Sequence, residues 1–491
     1  MATLHDLSSA LPHARLTGGA GGGVRVEDVT HDSRSARPGV LFACRPGRVV
    51  DGHDFAPRAV TAGASALLVE RPLDLGVPEL VVPSVVDALG PAAARVHGDP
   101  SAAFALCGVT GTNGKTTTAY LLDAVLRSAG HVTGLIGTVE TVVAGTPVAG
   151  VRTTPEASDL QRLLRRMADA GVTAAAMEVS SHGLALGRVR GTRFAVAVFT
   201  NLSHDHLDFH RDLDDYFRAK ARLFDPAYTP VAVVNVDDRH GRALAETTPV
   251  RVVRVSAAGR ADATVRATDV RLSPDGAAFT ARVRGRPVPV RIRLSGHFNV
   301  ANALGAMAAA EVVGVPSDQA AAGLEALPGV PGRMERVDAG QGFTVLVDYA
   351  HTPDSLDNVL RAARRLAGPD GARVVVVVGC GGDRDRAKRP RMGRTAAELA
   401  DLSVLTSDNP RTEDPLAILE AMRAGATAVP GARVMVEPDR RAGIAAALAG
   451  ARPGDVVVVA GKGHETYQQF ADRTVAFDDR AVVRELLGAA S

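Results

Sequence analysis

The run Leu106-Cys107-Gly108-Val109-Thr110-Gly111-Thr112-Asn113-Gly114-Lys115-Thr116-Thr117 spaces three glycines by three residues ahead of Lys-Thr-Thr. Gly111 and Gly114 let backbone N–H groups close around phosphate oxygens. Lys115 would reach the β- and γ-phosphates of a nucleotide, and the Thr116 hydroxyl would bind Mg2+. A strand expected over 103–106 and a helix over 117–127 supply the strand–loop–helix setting, and the helix N-terminus favours anions. The strict G-x-x-x-x-G-K spacing fails at Val109, so a plain threonine-capped glycine turn is the alternative.

Glu178 ends a second apolar strand, expected over 172–177, where a carboxylate can hold Mg2+ beside a phosphate loop. A third strand, 194–199, runs into Asn201-Leu202-Ser203-His204-Asp205-His206-Leu207-Asp208-Phe209-His210. Its histidines suit Mg2+ or Mn2+ among carboxylates better than zinc, since cysteines and an H-E-x-x-H pattern are absent. Tyr216, Phe217, Lys220, Leu223 and Phe224 recur at helical spacing, which puts Lys220 on an apolar stripe. Desolvation there lowers the pKa of an amine. A neutral amine can add CO2 to give a carbamate, an anionic metal ligand; a lysine snorkelling at the stripe's edge is the alternative.

Three further motifs each follow a short apolar run: Gly379-Cys380-Gly381-Gly382-Asp383-Arg384, Asp408-Asn409-Pro410-Arg411 and Gly461-Lys462-Gly463-His464-Glu465. Runs such as 374–378, 402–405 and 456–460 read as parallel strands buried on both faces. Their loops should converge at one carboxyl edge, where open α/β sheets bind ligands. Arg384 and Arg411 could there fork onto carboxylates while Glu465 takes an ammonium, which together would grip a zwitterion. Surface salt bridging of the two arginines is the competing reading.

The whole chain has 491 residues and a formal charge of +2, from 56 basic and 54 acidic side chains, so nucleic-acid binding by bulk charge is not expected. Lysine occurs only at Lys115, Lys220, Lys388 and Lys462, leaving 56 − 4 = 52 arginines. Codon drift explains such an excess, and lysines that survive it mark sites where an amine matters. Three scattered cysteines give neither a disulfide framework nor zinc spacing. No signal peptide and no membrane-length apolar run is read, so a cytoplasmic monomer is expected. The Pro/Gly run 327–332 reads as a linker, and 251–293 as an antiparallel β insertion.

These motifs resemble the Mur ligases over nearly the whole chain, and the phosphate loop is also similar to that of folylpolyglutamate synthases. The resemblance adds Asn302 in Gly296-His297-Phe298-Asn299-Val300-Ala301-Asn302, Arg333 in Gly332-Arg333-Met334-Glu335, and Asp348 in Asp348-Tyr349-Ala350-His351-Thr352-Pro353. It implies an α/β, three-domain Mur ligase architecture. An N-terminal UDP-substrate domain (1–100) precedes a central P-loop ATP-binding domain (101–331) and a C-terminal, Rossmann-like amino-acid domain (332–491). It further implies that residues 111–117 with Asn302, Arg333 and Asp348 hold ATP. Thr116, Glu178, His206 and a carbamylated Lys220 would hold Mg2+. Ser33, in His31-Asp32-Ser33-Arg34, belongs to the uridine-nucleotide region. Thr153, Thr154, Ser180 and Arg188 would contact a muramoyl-dipeptide, although Thr153-Thr154-Pro155 also reads as a helix N-cap.

Asp408-Asn409-Pro410-Arg411, with Arg384, Gly461 and Glu465, looks like the version that adds meso-diaminopimelate to UDP-N-acetylmuramoyl-L-alanyl-D-glutamate. Lysine-adding relatives lack the arginine at 411. The implied reaction passes through an acyl phosphate and makes an amide for peptidoglycan precursor synthesis. The alternatives are an L-lysine-adding or folate-polyglutamylating ligase and, in a different class, a non-ligase P-loop module.

Overall fold

The computed structural model describes residues 2–18, 21–47, 49–150, 152–273, 275–367 and 371–488. Three open sheets follow one another along the chain. The first has five strands in the spatial order Arg15–Thr17, Glu79–Val81, Ala66–Val69, Val40–Ala43, Asp28–Thr30, parallel except for the first. The second has eleven strands. Its parallel centre places Thr133–Ile136, Ala174–Glu178, Ala105–Thr110, Val196–Phe199 and Val231–Asn235 side by side. The third has six strands in the order Glu335–Val337, Thr344–Asp348, Val456–Ala460, Val374–Val378, Leu402–Leu405, Val434–Val436. Only its first pairing is antiparallel.

The apolar runs become interior strands because no polar face is left to solvate. Val374–Val378 and Val456–Ala460 are buried throughout. Each such valine contributes about 1.5 kcal/mol or more of burial. Connecting helices start where the chain offers caps and phosphates no competitor. Thr352 and Ser355 form a capping box ahead of Pro353–Leu366, with proline in the first turn. Helix Lys115–Ser128 instead follows Gly114 with no side-chain cap, which leaves its first N–H groups free for a ligand.

The segment 251–293 differs from the expected insertion. Arg251–Ser256 pairs parallel with Val231–Asn235, and Val265–Ser273 pairs parallel with it in turn. Only Gly276–Val283 and Arg286–Ile292 add antiparallel pairs, so the segment extends the central sheet. Alternation alone identifies a strand but not the direction of its neighbour. Helix Ala157–Asp169 begins after Glu156, which makes no side-chain cap; Thr153-Thr154-Pro155 is therefore not its N-cap. Among the described residues, no helix is long and apolar enough to cross a membrane.

Candidate active site

The phosphate loop lies at the carboxyl end of Ala105–Thr110, between the ends of Ala174–Glu178 and Val196–Phe199. Gly111 has φ +148°, and a Cβ there would sit 1.8 Å from Thr200 Oγ1, so only glycine lets the loop pass. The Thr112 N–H donates to Asn201 O at 2.9 Å, and the Asn113 N–H to Asn201 Oδ1 at 2.9 Å. Thr117, in the first helical turn, is buried and lines the cavity. Lys115 Nζ donates to Gly111 O (3.0 Å) and Thr112 O (2.8 Å).

Lys220 lies on helix Leu213–Ala221 and is fully buried, as the stripe predicts. Its Nζ donates to the same Gly111 carbonyl at 2.7 Å and lies 4.5 Å from the Tyr216 ring centre. Burial, reinforced by the neighbouring Lys115 charge, pushes the amine well below its ordinary 10.5. Burial likewise pulls Lys115 down. The site thus has a desolvated amine, its uncharged form favoured, facing the phosphate loop.

Glu178 is held from several sides. Thr116 Oγ1 donates to Oε2 at 3.0 Å, Thr138 N–H to Oε1 at 2.7 Å, and Thr138 Oγ1 to Oε2 at 3.1 Å. His206 sits in the left-handed region at φ +54°, and burial pushes its imidazole down to about 3, so the ring is neutral. Thr116, Glu178, His206 and Lys220 line one cavity with Asn302, Arg333 and Asp348. Among the described residues, no three His, Cys, Asp or Glu side chains converge as a metal cage. Hard oxygen donors beside a phosphate loop fit Mg2+, which keeps outer ligands from phosphates and water. The arrangement does not fit a protein-ligated zinc site.

The C-terminal sheet closes this cavity. Arg333 Nη2 donates to Thr116 Oγ1 at 3.0 Å, and its guanidinium stacks 4.6 Å from the Tyr349 ring centre. Asp348 accepts from the N–H groups of Met334 (2.7 Å) and Ala350 (2.8 Å). It acts as a strut for the Arg333 loop, although burial raises its pKa. The Asn302 side-chain oxygen packs against Gly114. Asp354, which the motifs did not single out, accepts from Asn113 Nδ2 at 2.8 Å and ties the third sheet's first helix to the phosphate loop.

The residues expected to contact a muramoyl-dipeptide do not all share one setting. Thr153 and Ser180 line the cavity. Thr154 is fully buried, donating to Glu178 O (3.0 Å) and Ser180 Oγ (3.1 Å), so it supports the site from behind. Arg188 pairs with Glu156 at 2.9 Å, and Arg45 reaches the same carboxylate from the first sheet at 2.8 Å. Glu156 and Arg45 were not legible in the motifs, because nothing local marks a carboxylate shared between distant arginines. Ser33 lies in a turn of the first sheet capped by Asp32, away from the cavity.

The three C-terminal motifs do meet at one sheet edge. A Cβ on Gly381 would lie 2.9 Å from Arg411 Nη1 and 3.9 Å from Arg384 Cγ, so both arginines flank it. Arg411 Nη1 donates to Gly382 O and Arg384 Nη1 to Asp383 O. Neither guanidinium pairs with a carboxylate among the described residues, which the salt-bridge reading requires. Gly461, at φ +110°, sits where a Cβ would come 2.8 Å from Asp408 Oδ2. Asn409 is buried and bonded at both polar atoms, and Pro410 is buried beside it. Beneath them the buried Arg440 pairs with Asp479 and donates to Ser407 O (3.4 Å) and Ala460 O (3.0 Å). It thereby pins the start of two of the three loops.

Comparison with known proteins agrees with this arrangement. Residues 25–98 match the Mur ligase family catalytic domain, 109–310 the Mur ligase middle domain, and 332–463 the Mur ligase glutamate ligase domain. A UDP-N-acetylmuramoyl-L-alanyl-D-glutamate–2,6-diaminopimelate ligase of Streptomyces avermitilis is 49% identical over 493 residues, covering 98% of this chain and 97% of the relative. The enzyme of that name from Geobacillus thermodenitrificans is 45% identical, covering 94% and 95%. A solved structure of a UDP-N-acetylmuramoyl-L-alanyl-D-glutamate–2,6-diaminopimelate ligase superimposes with a TM-score of 0.71 at 34% identity, covering 100% of this chain and 99% of the other. The chain belongs to the Mur ligase family.

Proposed function

We propose that the chain uses ATP to join meso-diaminopimelate to UDP-N-acetylmuramoyl-L-alanyl-D-glutamate, forming an amide in peptidoglycan precursor synthesis. The working units are residues 1–100 for the UDP substrate, 101–331 for ATP and 332–491 for the amino acid, with the reaction in the cytoplasm. The observation that carries the reading is the pair Arg384 and Arg411, side by side at the third sheet's edge with no carboxylate partner among the described residues. Asp408, beside Gly461, and Glu465 are the carboxylates at the same edge that would receive ammonium groups.

The γ-phosphoryl group passes to the D-glutamyl side-chain carboxylate, and the amine then displaces phosphate from the acyl phosphate. Lys115 and the uncapped N–H groups at the start of helix Lys115–Ser128 hold the β- and γ-phosphates. Thr116, Glu178, His206 and a carbamate on Lys220 would hold Mg2+, which neutralises charge on the transferred group when bound. Arg333 orients the nucleotide against Thr116 and brings the third sheet up to it. Arg188, fixed by Glu156, meets the dipeptide beside Thr153 and Ser180. Asp348, with both oxygens on backbone N–H groups, is a strut and not a base.

Amide formation with meso-diaminopimelate against L-lysine tests the reading. Wild type should prefer the former, and Arg411→Ala should lose that preference by about 10- to 100-fold, the value of a bidentate charged contact. An unchanged preference overturns the Arg411 assignment. ADP release that needs neither the dipeptide nor the amino acid would instead favour a regulatory ATP-binding module.

A further inference from the structure

Of the four lysines, Lys462 has the most closed surroundings and no part in the chemistry above. It is 0% exposed, in the loop after strand Val456–Ala460. Its Nζ donates to Glu465 Oε2 at 2.8 Å and to Asn409 Oδ1 at 3.1 Å. Asn409 Nδ2 donates to the same Glu465 Oε2 at 2.8 Å, and Asn409 Oδ1 also accepts from the Gln469 N–H at 3.0 Å. The Tyr467 ring centre lies 5.4 Å from the ammonium.

We propose that Lys462 is a positioning residue for the diamino acid, locking Glu465 and Asn409 so that Glu465 meets the substrate through Oε1 alone. The inference rests on the diaminopimelate reading above. Glu465 Oε2 already takes two donors, whereas Oε1 has no hydrogen bond among the described residues. The lock also joins three pieces of chain. Gln468 Nε2 donates to Asp408 O at 2.8 Å, and the Arg411 N–H donates to Gln469 O at 3.0 Å, so the hairpin Tyr467–Gln469 and Thr474–Ala476 holds the Asp-Asn-Pro-Arg loop. Fixing Asn409 therefore fixes the backbone that carries Asp408 and Arg411.

The amine type follows from the space. A sealed cation needs a counter-charge, which Glu465 provides. Two acceptors and an aromatic face around one point suit a compact ammonium and not a planar five-donor fork. Lysine here, in a chain that uses arginine for 52 of its 56 basic residues, has that physical reason. Without the ammonium, Glu465 Oε2 keeps only the Asn409 donor and the carboxylate is free to turn.

The test is a double-mutant cycle on the full chain: wild type, Lys462→Met, Glu465→Gln and the double variant, assayed with ATP, the UDP-dipeptide and meso-diaminopimelate. Lys462→Met should raise KM for diaminopimelate about tenfold or more, the loss expected for a charged hydrogen-bond partner, with KM for ATP within about twofold. The double variant, which leaves no lone buried charge, should fall well short of the product of the two single effects, because Lys462 acts in large part through Glu465. Multiplicative effects in the double variant, KM changes shared equally with ATP, or full activity in Lys462→Arg would overturn the inference while leaving the diaminopimelate reading intact. Wild type forming no amide with meso-diaminopimelate would remove both.

Discussion

Lys220→Met separates a chemical from a structural role for the buried amine. The variant loses the 2.7 Å hydrogen bond to Gly111 O, but that carbonyl keeps Lys115 Nζ at 3.0 Å and is not orphaned. The loss is about 1 kcal/mol for the bond. Against it stands the removal of a polar amine from a fully buried position, where methionine carries no group to desolvate. Methionine has nearly the same volume, and its sulfur lies well against an aromatic ring. The terms offset to within about 1 kcal/mol, so Tm should move by no more than about 2–4 °C. Amide formation should nevertheless fall by about 10²–10³, the usual effect of removing one group that stabilises developing charge. Product formation by chromatography and thermal melts on the same preparations give both quantities. A fall in Tm of about 8 °C or more with a matching loss of activity, or activity within about threefold of wild type, would refute this reasoning. Partial recovery of Lys220→Ala by acetate or formate is the added result expected of a carbamate.

Three other perturbations follow from named contacts. Arg333→Ala removes the bridge from the third sheet to Thr116 and should raise KM for ATP by about 10- to 100-fold, with calorimetric ADP binding weakened in step. Glu156→Ala leaves Arg45 and Arg188 facing each other without their shared carboxylate; chemical denaturation should show a loss of about 2–3 kcal/mol, and binding of the UDP substrate should weaken. Asp28 has its pKa lowered to about 2: burial opposes the shift, but hydrogen bonds from His97 and Arg162 outweigh it. Because the folded pKa lies below the unfolded value of 3.8, its contribution is complete above about pH 4 and lost as pH falls towards 2. The stability difference between wild type and Asp28→Asn, about 1 kcal/mol after solvent screening, should vanish over that window in acid melts.

Local chemistry was readable without coordinates wherever function and backbone share a segment. Gly111, Gly114, Lys115 and Thr116 act as one loop, so their spacing carries the meaning. The helical period placed Lys220 on the buried face, and the valine runs marked 374–378 and 456–460 as interior strands. Their loops had to share an edge because parallel strands all end on one side. The motifs also preserved Lys462 among the arginines, though not its partner.

What only the tertiary structure decided is which distant groups meet. Glu156 draws Arg45 and Arg188 together across more than a hundred residues, and Asp354 reaches Asn113 from another sheet. Thr138 grips Glu178 because two strands are neighbours, an adjacency their sequences do not encode. The direction of Arg251–Ser256 was likewise set by its neighbour. Side-chain periodicity reports which face is buried, whereas sheet order and contacts between sheets depend on how separate buried faces pack, a property of the whole chain. The same packing separated Thr154, bonded away behind the site, from Thr153 at its surface.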